Sequence, residues 1–557
     1  MVVWNPWKEN LKHTPKESLN WRLWYGVFVF GLMGAARGID EGLIGTTAEL
    51  DPFKRKFGLE ENGTKSEHEI AELLSNITSM VQMGSILGSL IAFFITDKIG
   101  RLWATRQLCI VWVIGIVIFL TSSITGSVGQ IYAGRFIAGI GIGQTTVVAP
   151  TYLAETAPRA IRGLCVCAFA GSVYIGIMLA YFASWGSSIH ISSATDAQWL
   201  VPNSMHIMFA GLIFTLSWFA KESSRWLIKV GRHEEALDNL AQLRNLPADH
   251  PYVTSEVMDI NDQLNREREA TMGTSWLGPI RELFSSKANL YRLQLSVLSQ
   301  LLSQWSGANS ITIYAPKYFE MMGTSGQQEK LFATAIFGVV KFISSMLCAF
   351  FLIDFLGRKR SLATGITLQL LSMLYMAIFL LIDTGVADGV PQSSSQKHAA
   401  MGAIVMIYFS GFGWALGWNS IQYLINSEIY PLRLRALGGS IAMTFHFVNQ
   451  YGNSKAVPLM FISMTHGGTM LFFSCVTAVG LVWVYFFLPE TSGKSLESLD
   501  EMFNLPWHLI GRKGAELTKG SGGMAEIMDE SGEKAVTYQM ESAGGAEQQT
   551  HRVEQKV

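Results

Sequence analysis

The chain has 557 residues, of which 49% are hydrophobic and 15% are charged, and its formal net charge at pH 7 is −1. A soluble domain usually carries roughly 25% charged residues. The low charged fraction indicates that much of the chain lies in lipid, and the near-zero net charge argues against a nucleic-acid partner. All five cysteines fall within apolar runs, which is typical of small buried side chains rather than of a disulfide or metal site.

Twelve apolar stretches are long enough to cross a bilayer, for which a helix needs about 20 residues. They lie at 24–45, 72–95, 102–123, 130–150, 164–184, 201–219, 293–315, 330–353, 361–382, 400–425, 437–461 and 468–488. The pattern of six spans, a gap and six more spans predicts an all-α membrane protein with twelve transmembrane helices in two six-helix repeats.

The domain boundaries follow from the same pattern. We expect residues 1–23 to be a cytoplasmic N-terminus without a removable signal peptide. A first bundle spans 24–219, a cytoplasmic linker with short helices spans 220–290, and a second bundle spans 291–488. We expect 489–557 to be a cytoplasmic tail, disordered from about residue 514 because it has too few large apolar residues to bury a core.

Lysine and arginine concentrate in alternate connections. The connections at 122–129, 185–200 and 462–467 hold neither residue. The positive-inside rule therefore predicts that both termini are cytoplasmic, and we expect the plasma membrane. The predicted outer connection at 46–71 is an exception with four basic residues, and it contains the N-glycosylation acceptor Asn62-Gly-Thr.

Two charged signatures occur twice, each time beside an apolar run. They are Asp97 to Arg101, which recurs as Asp354 to Arg358, and the set Glu155, Pro158 and Arg162, which recurs with the same spacing as Glu428, Pro431 and Arg435. The recurrence indicates an old duplication. Duplicated helical halves with a substrate site between them are the architecture of a secondary transporter.

The acidic members of these signatures lie at predicted helix C-termini, where the helix dipole disfavours a carboxylate, so each should have a partner. We expect ion pairs that latch the two halves on the cytoplasmic side in one state and break in another. The alternative is ordinary surface salt bridges, worth about 0–1 kcal/mol each.

Nine short motifs occur in order along the chain. They are Gly38-Ile-Asp40, Asp97 to Arg101, Gly134-Arg135, Pro150 to Gly163, Glu222 to Leu227, Gln304 to Asn309, Asp354 to Lys359, Glu428 to Arg435, and Pro489-Glu-Thr491. Over residues 20–505 the chain resembles a sugar porter of the major facilitator superfamily. The segments Thr14 to Arg22 and Ile44 to Thr47 resemble fungal members, including quinate and sugar-acid permeases. The resemblance adds Glu222 and Arg225 to the predicted latch.

Asp40 and Arg135 fall inside apolar spans, where an ionisable group is costly and by default marks a functional pathway. In the family that the chain resembles, the matching positions pair in proton-coupled members, and the carboxylate accepts and releases the driving proton. The resemblance implies that Asp40 is the proton site and that Arg135 tunes it, with no other cofactor. The alternative is a structural pair without proton traffic.

The substrate site implied by the resemblance departs from the family pattern in one direction. Its candidate residues are Arg37, Gln300, Ser303, Gln304, Asn309, Gln422, Tyr423, His446 and Phe447. Arg37 stands where phenylalanine is usual, and His446 stands where asparagine is usual. A guanidinium binds a carboxylate through two parallel hydrogen bonds, which favours an anionic sugar-like substrate such as a hexuronate or quinate. Alternatively, Arg37 pairs with Glu41 or Asp40 and the substrate is neutral.

These patterns predict a secondary transporter that takes up a sugar or sugar-like acid with protons by alternating access. A facilitated uniporter and a nutrient sensor that binds sugar without moving it are the alternatives. An enzyme is disfavoured because the chain has no nucleophile, base and oxyanion set and no phosphate loop. We expect a monomer in the lipid bilayer, without a metal or a nucleic acid. Lys341 and Lys455 add two intramembrane cations to which the patterns assign no role.

Overall fold

The computed structural model describes residues 14–60, 65–158, 161–271, 278–348, 357–382, 393–419, 429–491, 502–507, 509–512, 527–528 and 534–535. The helices are α1 (Trp21–Ala48), α2 (Asp51–Phe57), α3 (Glu67–Ile99), α4 (Arg101–Thr125), α5 (Val128–Thr156), α6 (Arg162–His190), α7 (Ala197–Leu216), α8 (Ser224–Lys229), α9 (His233–Arg244), α10 (Pro251–Thr271), α11 (Gly278–Ser285), α12 (Lys287–Gln304), α13 (Ala308–Ile313), α14 (Ala315–Met321), α15 (Gln327–Leu347), α16 (Arg358–Ile382), α17 (Ser394–Trp414), α18 (Leu432–Ser463) and α19 (Thr465–Phe487).

Three smaller elements complete the described secondary structure. A 3₁₀ turn at Lys16–Ser18 precedes α1, and a π-helical turn at Ala415–Asn419 extends α17. The strands β1 (Ile527–Met528) and β2 (Lys534–Ala535) pair antiparallel within the part of the tail that we predicted to be disordered. A pair of two-residue strands is too short to be stable by itself.

Nine helices in the described part of the chain are long and apolar enough to cross a bilayer, namely α3 to α7, α15 to α17 and α19. The other three predicted spans coincide with α1, with α12 to α14, and with α18. Those three segments carry charged or amide side chains in their interiors, such as Arg37, Gln304 and His446. Seven of the nine predicted substrate-site residues lie in these three segments.

Small residues let the helices within the first half approach closely. A Cβ on Gly38 of α1 would lie 1.9 Å from the carbonyl oxygen of Val173 on α6, and a Cβ on Gly176 would lie 2.0 Å from that of Ala35. Helices in lipid associate through such tight packing because the surrounding acyl chains are as apolar as their side chains. The α1–α6 contact holds the charged face of α1 in a defined rotation.

The seventh predicted span is not one continuous helix. It ends as α12 at Gln304, passes through Gly307 with a φ of +86°, and resumes as α13 and α14. Glycine adopts this left-handed conformation without the steric cost that a side chain imposes. Irregular backbone at membrane depth occurs where protein buries it or where it lines a cavity. The buried amide side chains of Gln304 and Asn309 lie on the two sides of this break.

Candidate transport site between the two halves

Arg37 makes the contact with Glu41 that the sequence offered as one alternative, and it also contacts His446. Its Nε and Nη2 each lie 3.1 Å from Oε1 of Glu41, one turn further along α1. Its Nη2 also lies 3.0 Å from Nε2 of His446 on α18, and its guanidinium stands 5.4 Å from the ring centre of Phe447. Arg37 is therefore neutralised by Glu41 and at the same time bridges the two halves.

The partners of His446 define its protonation. A guanidinium can only donate, so Nε2 of His446 must accept from Arg37. The proton then resides on Nδ1, which donates to Oε1 of Gln300 at 2.9 Å. Nε2 of Gln304 lies 3.2 Å from the same nitrogen, but it is a second donor and makes no hydrogen bond to this tautomer. We assign the neutral Nδ1–H tautomer from this geometry. His446 thus joins α18 to α12 and adds no second positive charge beside Arg37.

Gln450 extends the network to α13. Its Nε2 donates to Oε1 of Glu41 at 3.2 Å and to Oδ1 of Asn309 at 3.4 Å. The sequence reading missed Gln450, although it lies one helical turn after His446 and therefore on the same face of α18. A continuous, largely buried chain of hydrogen bonds runs through Gln300, His446, Arg37, Glu41, Gln450 and Asn309, and Gln304 lies beside it against His446; we name these seven residues the midplane network.

Amide atoms of the midplane network remain without a hydrogen-bond partner among the described residues. They are Nε2 of Gln300, Oε1 of Gln304, Nδ2 of Asn309 and Oε1 of Gln450. An unpaired buried polar group costs about 1–3 kcal/mol. These atoms include both donors and acceptors, which is the set that a polyhydroxylated molecule can satisfy. Ser303 differs, since its hydroxyl donates at 2.9 Å to the carbonyl of Gln300 in its own helix.

Asp40 and Arg135 meet in the interior of the first half. Both side chains are 2% exposed, and Nη1 of Arg135 lies 3.4 Å from Oδ1 of Asp40. Arg135 also donates at 2.8 Å to the carbonyl of Ile77. A third titratable group, which the sequence reading missed, is His206 of α7, whose Nε2 lies 4.0 Å from Oδ1 of Asp40. Because consecutive helical residues point about 100° apart, Asp40 faces α5 while its neighbour Glu41 faces α18.

Three of the predicted latch residues of the first half, Asp97, Arg101 and Glu155, contact one another. Nη2 of Arg101 lies 2.7 Å from Oε1 of Glu155 and 3.4 Å from Oδ1 of Asp97. The hydroxyl of Ser223 donates to Glu155 at 2.5 Å, and Lys229 lies 2.7 Å from Asp97. These contacts tie α3, α4 and α5 to the linker within the first half, and the expected latch between the halves stays a prediction. The cation that reaches Glu155 comes from the neighbouring helix α4, because that helix begins beside the end of α5.

Glu222 acts as a cap for a helix. Its carboxylate accepts from the backbone N–H groups of Arg101 at 3.1 Å and Leu102 at 3.0 Å, at the positive end of the α4 dipole. Burial raises the pKa of Glu222, and the N–H donors offset this effect only in part. In the second half, the carboxylate of Glu490 accepts at 3.0 Å from the N–H groups of Arg358 and Lys359 at the start of α16. The duplicated halves therefore share one capping arrangement.

Other predicted site residues are placed as follows. Arg162 begins α6 and is exposed, and Arg225 lies in α8. Five of the predicted residues lie outside the described part of the chain, namely Asn62, Asp354, Gln422, Tyr423 and Glu428, as does the side chain of Arg435. Their predicted roles stay predictions.

A family model described as "Sugar (and other) transporter" matches residues 26–503. The chain belongs to this sugar transporter family. It is 31% identical over 524 residues to a probable quinate permease of Aspergillus niger, covering 93% of this chain and 95% of the relative. It is 31% identical over 527 residues to a quinate permease of Emericella nidulans, covering 94% of this chain and 97% of the relative.

The transporter also matches solved structures. A partially occluded, inward-open structure of the xylose transporter XylE from E. coli superposes with a TM-score of 0.68 at 21% identity, covering 86% of this chain and all of that chain. A second structure shows the major facilitator superfamily proton:xylose symporter XylE bound to 6-bromo-6-deoxy-D-glucose. It superposes with a TM-score of 0.68 at 23% sequence identity, covering 87% of this chain and 99% of that chain. The predicted family and the all-α major facilitator fold are confirmed. Family membership also confirms the prediction of a membrane transporter rather than an enzyme.

Proposed function

We propose that this transporter moves a sugar or sugar acid together with protons by alternating access. The observation that carries the proposal is the midplane network, which is buried between the halves and presents unpartnered amide donors and acceptors. Hydroxyl groups of a polyol pair with such atoms through one or two hydrogen bonds each. The two quinate permeases named above support a polyhydroxylated substrate, since quinate carries several hydroxyls and a carboxylate.

Asp40 is the proton site in this proposal. When Asp40 is charged, Arg135 pairs with it, and protonation removes that attraction. Asp40 and Glu41 are consecutive residues of α1, so a movement of α1 on protonation of Asp40 also shifts Glu41 and its hydrogen bonds to Arg37 and Gln450. Proton binding and substrate binding thereby act on the same helix, which is the requirement for coupling two ligands.

Contacts between the halves at the predicted outer end describe a closed gate in this proposal. The hydroxyl of Tyr314 lies 2.6 Å from Oγ1 of Thr78 on α3 and donates at 2.7 Å to the carbonyl of Ser454 on α18. Lys330 of α15 lies 3.7 Å from Glu49 at the end of α1. In alternating access these contacts break when the site opens outward. We place the transporter in the plasma membrane as a monomer, with both termini cytoplasmic.

The test is uptake into proteoliposomes under an imposed proton gradient, with labelled D-glucose, D-xylose, D-glucuronate and quinate. Accumulation of at least one compound should collapse when an uncoupler is added. Asp40→Asn should abolish accumulation while exchange of substrate across the membrane continues. Asp51→Asn, an exposed acid in α2, is the matched control and should accumulate substrate as the parent protein does. Accumulation that persists with the uncoupler contradicts proton coupling, and binding without flux favours a sensor.

A further inference from the structure

Lys341 is a buried cation beside the midplane network. It lies on α15, is 3% exposed, and its Nζ donates to Oγ1 of Thr312 at 2.5 Å. The ammonium stands 5.2 Å from the ring centre of Tyr174 on α6 and 5.5 Å from that of Phe337. Lys341 is therefore held between aromatic rings that belong to the two different halves.

The charge of Lys341 has no carboxylate within ion-pair distance among the described residues. A single hydroxyl and two ring faces offset only part of the cost of burying an ammonium, because a desolvated ion needs an opposite charge or several oxygen acceptors. The aromatic rings attract the cation but cannot accept its remaining N–H groups as an oxygen does. Two N–H bonds of Lys341 therefore remain available for an oxygen acceptor.

Arg37, unlike Lys341, has a carboxylate within ion-pair distance. Its guanidinium is paired with Glu41, and His446 is neutral in the tautomer that Arg37 imposes. The described residues around the midplane network thus contain two cations, Arg37 and Lys341, and one carboxylate, Glu41. Because Glu41 is hydrogen-bonded to Arg37, the remaining single positive charge of this set is located at Lys341.

We propose that Lys341 is the residue that binds the carboxylate of a monoanionic polyhydroxy acid and so determines the preference of the site for acids over neutral sugars. This inference rests on the proposed function, because it specifies the substrate class of the same site. The hydroxyls of that acid bind the amides of Asn309 and Gln450. Thr312 and Asn309 are three residues apart on α13, about 4.5 Å along its axis, so a six-membered ring reaches from Lys341 to these amides.

In this proposal Lys341, rather than Arg37, discriminates between acidic and neutral substrates. The sequence drew attention to Arg37 because it replaces a common phenylalanine, yet a paired guanidinium must first leave Glu41 before it can bind a substrate carboxylate. Lys341 requires no such exchange. A point charge between aromatic rings recognises a carboxylate without a fixed bidentate orientation, which suits acids that differ in ring geometry.

The first experiment needs no substitution. Inhibition of labelled uptake is compared for D-glucuronate and its uncharged methyl ester, and for quinate and its methyl ester. The two members of each pair differ in the charge of one group. A hydrogen-bonded ionic contact predicts that the acid binds about 10- to 150-fold more tightly than its ester. Equal inhibition by acid and ester in the parent protein overturns the proposal.

The second experiment removes the charge. Lys341→Met should lower the acid-to-ester preference to about one while leaving the affinity for the ester close to that of the parent protein. Lys341→Arg, which keeps the charge, should retain most of the preference. Lys455→Met removes another intramembrane lysine, one that contacts Asn76 away from the midplane network, and should leave the preference unchanged. A Lys341→Met protein that still prefers the acid by the parent ratio overturns the proposal.

The outcomes also separate this inference from the proposed function. Accumulation of acids that persists with an uncoupler contradicts the proton coupling, whereas the acid-to-ester ratio still reports on Lys341. Conversely, proton-driven uptake of both acid and ester with equal affinity supports the proposed function and overturns the role of Lys341. If Lys341→Met fails to fold, equal inhibition by acid and ester in the parent protein still overturns the proposal.

Discussion

The close approach of α1 to α13 allows the closed outer gate to be tested by a single methyl group. A Cβ on Gly45 would lie 1.6 Å from the carbonyl oxygen of Ile313. The preferred separation of nonbonded carbon and oxygen is about 3.5 Å, so Gly45→Ala requires the two helices to move apart by about 2 Å. Overpacking of this kind costs about 1–3 kcal/mol, and the cost applies only to the state in which α1 and α13 touch.

The expected result is a population shift toward the state that is open at the predicted outer end. A penalty of about 1–3 kcal/mol on the outward-closed state raises the ratio of the outward-open to the outward-closed population by a factor of roughly 5 to 150. Thr78, which is buried against Tyr314 in this gate, provides the reporter. A cysteine is placed at position 78 in a background without the five native cysteines, and its labelling by an impermeant maleimide is measured from outside.

Gly211→Ala is the matched control for this substitution. Gly211 lies in α7, and a Cβ there would meet no other atom within 4 Å. The control should label at the parent rate and transport normally, while Gly45→Ala should label faster and transport more slowly. If Gly45→Ala labels and transports as the control does, then α1 and α13 do not form the outer gate and the reasoning is refuted.

Three further predictions concern the site and the gate. Gln304→Ala should raise the half-saturation concentration for uptake by about 5- to 150-fold, because one substrate hydroxyl loses its partner; an unchanged value would place the substrate elsewhere. Arg37→Phe should lower the yield of folded protein, since Glu41, which is largely buried, loses its ion-pair partner and keeps the hydrogen bond from Gln450, at a cost of up to about 3–5 kcal/mol. The double change with Glu41→Gln should restore the yield on size-exclusion chromatography. Burial would raise the pKa of Glu49, but Lys54 and Lys330 outweigh it and hold this pKa below its ordinary value. Because the pKa of Glu49 is lowered in the folded state, the charged carboxylate stabilises the gate fully above its unfolded pKa of about 4.3. This stabilisation is lost only as the pH falls through the lower folded value. Glu49→Gln should therefore not alter the shape of the uptake profile between about pH 5 and 7. A changed slope in that range would assign the pH dependence to the gate.

Helix positions could be predicted from the sequence because the bilayer makes them a local property. Every backbone N–H and C=O in lipid must be paired within its own segment, so the length and apolarity of a stretch suffice to predict a span. The described helices accordingly overlap each of the twelve predicted spans. The duplication was visible for a similar reason, since Gly100 and Gly357 directly precede α4 and α16 with positive φ angles that favour glycine.

The pairing of polar side chains was decided only by the tertiary structure. Arg37 contacts both Glu41 on its own helix and His446 far along the chain, while Glu155 binds Arg101 from a neighbouring helix. Spacing within one segment defines which residues share a face, but it does not define how that helix is rotated or shifted against its neighbours. Gln450 and the unpaired charge of Lys341 were invisible for the same reason, because a side chain between helices acquires its partners only when the helices pack.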